Sequence, residues 1–219
     1  IDHYGITYKE ELKIKKDSGI KIFVLDDSYK KHHCDILLNH NAYAKAENYK
    51  KLVPKHCKIK CGQEYMLLRD EFKFDYTPPA SMGVKKKVAI IMGGNDHSNI
   101  TLKILPIIKK FNLSAIIITT KSNKNISSLE NASNENSKID LYIDHNNIVS
   151  LLKECDFAII SPSVIANELF YINYPFISIK TAKNQKHMHS FLKKNSYYTL
   201  ESFDKNELEK AIIEMKKKL

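Results

Sequence analysis

"KKVAIIMGGND", residues 86–96, decides the fold. Its first part, "KKVAIIM" (86–92), holds an apolar run of strand length, the kind found where a strand is covered on both faces. The run closes on Gly93 and Gly94. Then "SNITLKILPIIKKF" (98–111) carries apolar residues at helical spacing, with a kink expected at Pro106. Working outward, the same rhythm repeats. "SAIIITT" (114–120), "KIDLYI" (138–143), "FAIIS" (157–161) and "PFISI" (175–179) read as buried strands. "NIVSLLKEC" (147–155), "SVIANELFYI" (163–172), "NQKHMHSFLKKN" (184–195) and residues 204–219 read as helices, and the Asn- and Ser-rich stretch 121–138 as loop. Strands alternating with helices predict a parallel sheet, and a complete Rossmann-like domain over residues 87–219.

The first 75 residues repeat the pattern in shorter form. "EELKIKKDSG" (10–19) predicts a helix ending near Gly19, "IKIFVLDD" (20–27) a strand with acidic residues at its carboxyl end, and "CDILLNHNAYA" (34–44) another strand. Two or three strands are few for a domain, so residues 1–75 read as the remainder of an incomplete Rossmann-like domain. Residues 76–86, with Pro, Ser and Gly, read as a linker.

Composition narrows the function. The chain has 219 residues, 43% hydrophobic and 27% charged, as expected for an ordinary globular protein. No apolar run approaches the roughly 20 residues of a membrane span, and with no export signal the cytoplasm is the default expectation. The net charge of +10 rests almost wholly on Lys, with Arg69 the sole Arg. Specific nucleic-acid surfaces lean on Arg for bidentate contacts, so no nucleic-acid partner is expected; the basic field would instead help draw in a small phosphorylated substrate. Cys34, Cys57, Cys61 and Cys155 read as reduced thiols, and their spacing with His32, His33 and His56 lacks the compactness of a zinc finger or ribbon, so no metal is expected.

Candidate site residues gather where predicted strands end. Gly93 and Gly94, followed by Asn95, let the backbone approach a ligand, and the helix start beyond them would offer N–H groups to phosphate; Asn95, Asp96 or Ser98 could equally be only a cap. The helix after Ser163 is apolar almost all round and therefore buried, so Glu168 inside it needs a partner. A ribose diol would serve; solvent over a helix end is the other reading. The turn at Asp144, His145 and Asn146 could present backbone groups to a base edge, or Asn146 or Asn147 could merely cap the next helix. Asn184 and Gln185 follow a further strand. Together these edges describe a cleft for a nucleoside diphosphate.

The stretches "DHYGI" (2–6), "CDILLNHNAYA", "CGQEYMLLRDEF" (61–72), "MGGND" (92–96), "IDHNNI" (143–148), "SPSVIANE" (161–168) and "KNQ" (183–185) resemble, in order and spacing, the hydrolase family of the pseudaminic acid pathway. The resemblance runs over essentially the whole chain. That family cleaves UDP-2,4-diacetamido-2,4,6-trideoxy-β-L-altropyranose, in a bacterial route to flagellin glycosylation, and has the two-domain GT-B fold shared with UDP-GlcNAc transferases. The resemblance implies that Gly93, Gly94 and Asn95 hold the diphosphate, that the turn at His145–Ile148 reads uracil, and that Glu168 takes the ribose. It places Tyr4 and Asn184 at the sugar and the attacking water, with Ser163 and Gln185 among the substrate-binding residues. The implied reaction needs no metal and no cofactor: water inverts the anomeric carbon and UDP leaves, a good leaving group once neutralised.

One departure matters. The family's proposed catalytic His sits in a G-x-G-H loop, and none of the nine histidines here follows a G-x-G. The chain is therefore expected to be the carboxyl-terminal portion of such a hydrolase, either monomeric or associating with the missing amino-terminal segment. The alternatives are a GT-B glycosyltransferase using a UDP-sugar, which would add an acceptor site, and a non-catalytic nucleotide-sugar-binding half that needs a partner.

Overall fold

The computed structural model describes residues 1–74 and 86–219, so the expected linker at 76–86 lies outside the described residues apart from Lys86. The chain clusters into two compact units, Ile1–Leu67 and Leu68–Leu219.

In the first unit, helix α1 (Tyr8–Ser18) is followed by strands β1 (Phe23–Leu25), β2 (Ile36–Asn39) and β3 (Lys58–Cys61), a parallel sheet in the order β1-β2-β3. Thr7 and Glu10 form a capping box at the start of α1, and Gly19 ends the helix in the left-handed conformation at φ 67°. The core is small: Ile22, Val24, Cys34, Leu37 and Tyr49. Cys34 and Cys57 lie with their sulfurs 3.6 Å apart, and all four cysteines are free.

The second unit opens with α2 (Asp70–Phe74), then β4 (Lys87–Ile91), α3 (Ile100–Lys110), β5 (Ser114–Thr119), α4 (Ile126–Asn134), β6 (Ile139–Ile143) and α5 (Ile148–Leu152). It continues with β7 (Phe157–Ile160), α6 (Val164–Tyr171), β8 (Phe176–Ile179), α7 (Lys186–Lys194), β9 (Tyr198–Leu200) and α8 (Lys205–Lys218). The six strands are all parallel, in the order β6-β5-β4-β7-β8-β9. From β4 the chain builds outward to one side through β5 and β6, then returns to β7 on the other. The carboxyl edge between β4 and β7 is thus the topological switch point, where open α/β sheets leave a crevice.

Burial explains the elements. Val88, Ala89, Ile90, Ala158, Ile159, Phe176 and Ile177 are fully buried at 0–1% exposure, as strands covered on both faces must be. Leu208, Ile212 and Met215 of α8 join the same core as Ile104 and Ile107 of α3. Two local expectations are corrected. Residues 126–134 form α4 rather than loop, because Leu129 at 0% exposure anchors an otherwise polar helix in that core. "YTL" (198–200) is a sixth strand, paired with β8. Residues 68–74, grouped with the amino-terminal segment in the sequence reading, cluster with the second unit, where Phe72 is buried at 1% and Arg69 finds an ion partner.

Candidate functional site

Both strands flanking the switch point end in residues with small or no side chains. After β4 come Gly93 and Gly94; after β7 come Ser161 and Ser163. The parallel register sets Ile91 opposite Ile160, which brings the two turns side by side. Gly93 takes φ 82°, a left-handed conformation that glycine adopts without strain, and a Cβ there would stand 3.5 Å from Ser161 Oγ. At Gly94 a Cβ would come within 3.0 Å of Thr120 Oγ1, a hydroxyl that donates to the Gly94 carbonyl at 3.1 Å. The turn is thereby pinned against the end of β5.

A cavity of about 380 Å³ opens on this turn. Of the predicted site residues, Gly93, Gly94, Asn95, Ser163, Asn184 and Gln185 all line it, joined by Asp96, Thr120, Ser122, Ser161 and Thr181, which sequence reasoning did not assign to the site. Its lining is rich in hydroxyls, amides and backbone. Ser163 is also the residue before α6, so a helix start lies at the wall; in its first turn the Ala166 amide donates to the Ser163 carbonyl at 2.9 Å.

The start of α3 contributes differently from expectation. The Asp96 carboxylate accepts hydrogen bonds from the Ile100 and Thr101 amides, both at 2.8 Å, and is only 6% exposed. Those N–H groups are occupied by the chain's own carboxylate. The glycine turn, the serines and the start of α6 remain as the other polar groups of this edge. Gln185 has a local duty as well: its side-chain oxygen accepts from the Thr181 amide at 2.8 Å and the Ala182 amide at 3.1 Å, holding the "KNQ" turn that presents the exposed Asn184.

Three predicted residues of the second unit do not line this cavity. His145 packs edge-on against Tyr142, with ring centroids 5.2 Å apart. Ile148 is buried as the first residue of α5, which Asn147 caps by accepting from the Ser150 amide at 2.8 Å. Glu168 has the partner its burial demanded, and it is Arg69. Oε1 accepts from Nε at 2.8 Å and Oε2 from Nη2 at 2.6 Å, a bidentate pair around a carboxylate residue 1% exposed. Burial pushes the Arg69 guanidinium down, and the hydrogen bonds and charge of Glu168 more than reverse it, with Glu71 adding to the effect. Glu71 in turn accepts from the Val149 amide at 3.1 Å. The segment "LRDEF" thus ties α6 to the start of α5. Arg69 is a partner that neither the ribose reading nor the solvent reading of Glu168 had named. The signal that could have found this was the sole Arg of a Lys-rich chain, lying in a motif already singled out.

Tyr4 belongs to the first unit. It is 62% exposed, and its hydroxyl donates to Asp27 Oδ2 at 2.7 Å. Beside it lies a buried ionic group that sequence reasoning missed. Glu11, at 0% exposure, holds His32 Nδ1 at 2.7 Å, and Asp26 accepts from Ser28 Oγ at 2.6 Å and Tyr49 OH at 2.7 Å. Burial pushes Asp26 up, but contacts to His32, Ser28 and Tyr49 hold it well below the usual carboxylate range. Among the described residues, no helix is long and apolar enough to cross a membrane.

No protein-family model matches the chain. Among curated proteins it is 41% identical over 198 residues to the UDP-2,4-diacetamido-2,4,6-trideoxy-β-L-altropyranose hydrolase of Campylobacter jejuni, covering 90% of this chain and 71% of that protein. It is 26% identical over 144 residues to an uncharacterized protein of Methanocaldococcus jannaschii, covering 62% of this chain and 30% of the other. Among solved structures it resembles Acinetobacter baumannii MurG at TM-score 0.61 and 9% identity, over 98% of this chain and 63% of that one. It also resembles the glycotransferase of kitacinnamycin at TM-score 0.52 and 10% identity, over 84% of this chain and 46% of that one. These two likenesses bear on the fold alone, which is GT-B-like, with Rossmann-like α/β units carrying parallel sheets of three and six strands. With 41% identity over nine-tenths of its length, the chain belongs to the family of UDP-2,4-diacetamido-2,4,6-trideoxy-β-L-altropyranose hydrolases.

Proposed function

We propose that this chain forms the UDP-binding part, and part of the sugar side, of an enzyme that hydrolyses a UDP-linked 2,4-diacetamido-2,4,6-trideoxy hexose. Water attacks the anomeric carbon, the bond from that carbon to the phosphate oxygen breaks with inversion, UDP leaves with the bonding pair, and the water proton passes to a base. The Gly93–Gly94 turn and Ser163 receive the diphosphate. Asn184 orients the water or the sugar from the same wall, and Tyr4, fixed by Asp27, acts on the sugar from the first unit. His145 and Ile148 form the uracil-side turn, steadied by Glu71 on the next amide. Glu168 acts by anchoring α6 through Arg69. The observation that carries this reading is the convergence of the glycine turn, Ser163 and Asn184 on one cavity at the β4–β7 switch point.

Calorimetric titration of the chain with UDP, with CDP and ADP as controls, tests it. Selective UDP binding is expected. Asn184→Ala should leave UDP affinity nearly intact while lowering turnover once activity is measured. A well-folded sample that binds no nucleotide overturns the proposal.

A further inference from the structure

The loop that carries Asn184 and Gln185 hangs between two fixed points. Strand β8 ends at Ile179, so Lys180 is the last residue before the loop, and α7 takes over at Lys186. Inside the loop, the Gln185 side-chain oxygen ties the Thr181 and Ala182 amides. A second tie lies outside it. Glu201, the residue after β9, gives one carboxylate oxygen to each end. Oε1 accepts from Lys180 Nζ, and Oε2 lies 3.0 Å from Nε2 of His189 on α7.

The three groups are unequally buried. The Lys180 and His189 side chains are 19% and 9% exposed, the Glu201 side chain 70%. The Lys180 ammonium holds the Glu201 carboxyl below the usual carboxylate range. Burial pushes the His189 ring below its ordinary range; Glu201 opposes this, and Lys180 and Lys193 add to it. The ring is therefore neutral near pH 7, and the carboxylate beside Nε2 favours the tautomer with its hydrogen there. Nδ1 is buried with no hydrogen-bond partner among the described residues, so the polar contact of this ring runs through Glu201.

A carboxylate this exposed adds little to global stability. The core already anchors both elements, through Ile177 and Ile179 of β8 and Met188 and Leu192 of α7. What remains free is the chain between them, and there a single carboxylate bound to both ends sets the span. Thr181, Ala182, Asn184 and Gln185 all line the switch-point cavity, so the span fixes that wall. Ordering the wall before a ligand arrives spares the ligand that entropic cost.

We propose that Glu201 is a positioning residue: by bridging Lys180 and His189 it sets the span of the 181–185 loop, and with it the place of Asn184 on the cavity wall. The inference rests on the hydrolase reading above and deepens it. Its test is NMR and amide exchange of the whole chain, with UDP and UDP-2,4-diacetamido-2,4,6-trideoxy-β-L-altropyranose as separate probes. Glu201→Ala should speed exchange of the Thr181 and Ala182 amides about threefold or more while the Ile177 and Ile179 amides keep their rates. It should also move the Asn184 side-chain amide resonance toward that of a free amide. Glu201→Gln keeps an oxygen for His189 but loses the charge facing Lys180, so it should fall between. UDP affinity should stay within about twofold, while the sugar nucleotide loses about threefold or more in affinity, or in kcat/KM where it is hydrolysed. Lys180→Met, with the same losses expected, serves where Glu201→Ala loses its spectral dispersion. Unchanged exchange at Thr181 and Ala182, or the same effect on UDP and the sugar nucleotide, overturns the proposal. Failure of the parent reading shows elsewhere, as UDP leaving the Gly93 and Gly94 amides unmoved in the unsubstituted chain.

Discussion

Replacing Arg69 by methionine should destabilise the second unit more than any surface charge deletion, because it strands a buried carboxylate. Glu168 is 1% exposed and accepts from the Arg69 guanidinium at 2.8 and 2.6 Å, and from the Arg69 amide at 3.4 Å, a long bond that the substitution leaves in place. Breaking a buried pair from one side costs about 3–5 kcal/mol. The Arg69 side chain is 43% exposed, so solvent screens part of that attraction. An Arg69→Met loss of about 2–3 kcal/mol follows. Glu168→Leu should cost less, about 1 kcal/mol, since the orphaned guanidinium can hydrate and still lies 3.3 Å from Glu71. The double variant puts two apolar side chains together and should also cost about 1 kcal/mol, so the cycle should show a coupling of about 2 kcal/mol. Urea unfolding is the assay, read through hydrogen exchange of β7 and α6 amides so that the first unit does not contribute. Additive losses, within about 0.5 kcal/mol, would refute the anchoring argument.

Two further outcomes are expected. Asp96→Ala should lower second-unit stability by about 1–2 kcal/mol, as loss of a helix cap does, measurable by the same exchange; freeing the Ile100 and Thr101 amides should not weaken UDP binding beyond that stability loss. The first unit should depend on pH through His32 and Asp26: His32 is raised, so its contribution is complete below its ordinary 6.5 and fades as pH climbs through the folded value. Asp26 is lowered, so its contribution is complete above 3.8 and fades as pH falls through the folded value. Stability of the first unit should thus peak between these limits, and His32→Gln should flatten the alkaline limb in thermal unfolding.

Much of the candidate site was legible because its signals are local. A buried strand closing on two glycines, and a polar turn before each helix, are properties of adjacent residues. Asn147 as a cap was foreseen on the same ground. What was not legible depended on distance along the chain. Glu168 visibly needed a partner, yet nothing near it in sequence could supply one; Arg69 stands 99 residues away. Asp96 was one of three candidate caps, and only the path of the turn decided that it would occupy the N–H groups expected to meet phosphate. Glu11 looks like one more solvated charge in a polar helix, although it is fully buried against His32. Residues 121–138 lack the apolar period of a helix, so α4 depends on the single anchor Leu129 and on the sheet beneath it.

The sequence by itself determined the fold class, the family and the existence of polar, glycine-bearing strand ends, since apolar period, glycine placement and motif order are all written along one dimension. The tertiary structure alone decided which of those ends meet. Setting β7 beside β4 rather than beside β6 costs nothing that local propensity can register, yet it creates the switch point. That choice brings Gly93, Ser163 and Asn184 to one cavity, leaves His145 and Ile148 off its wall, and gives the buried carboxylate of Glu168 to Arg69.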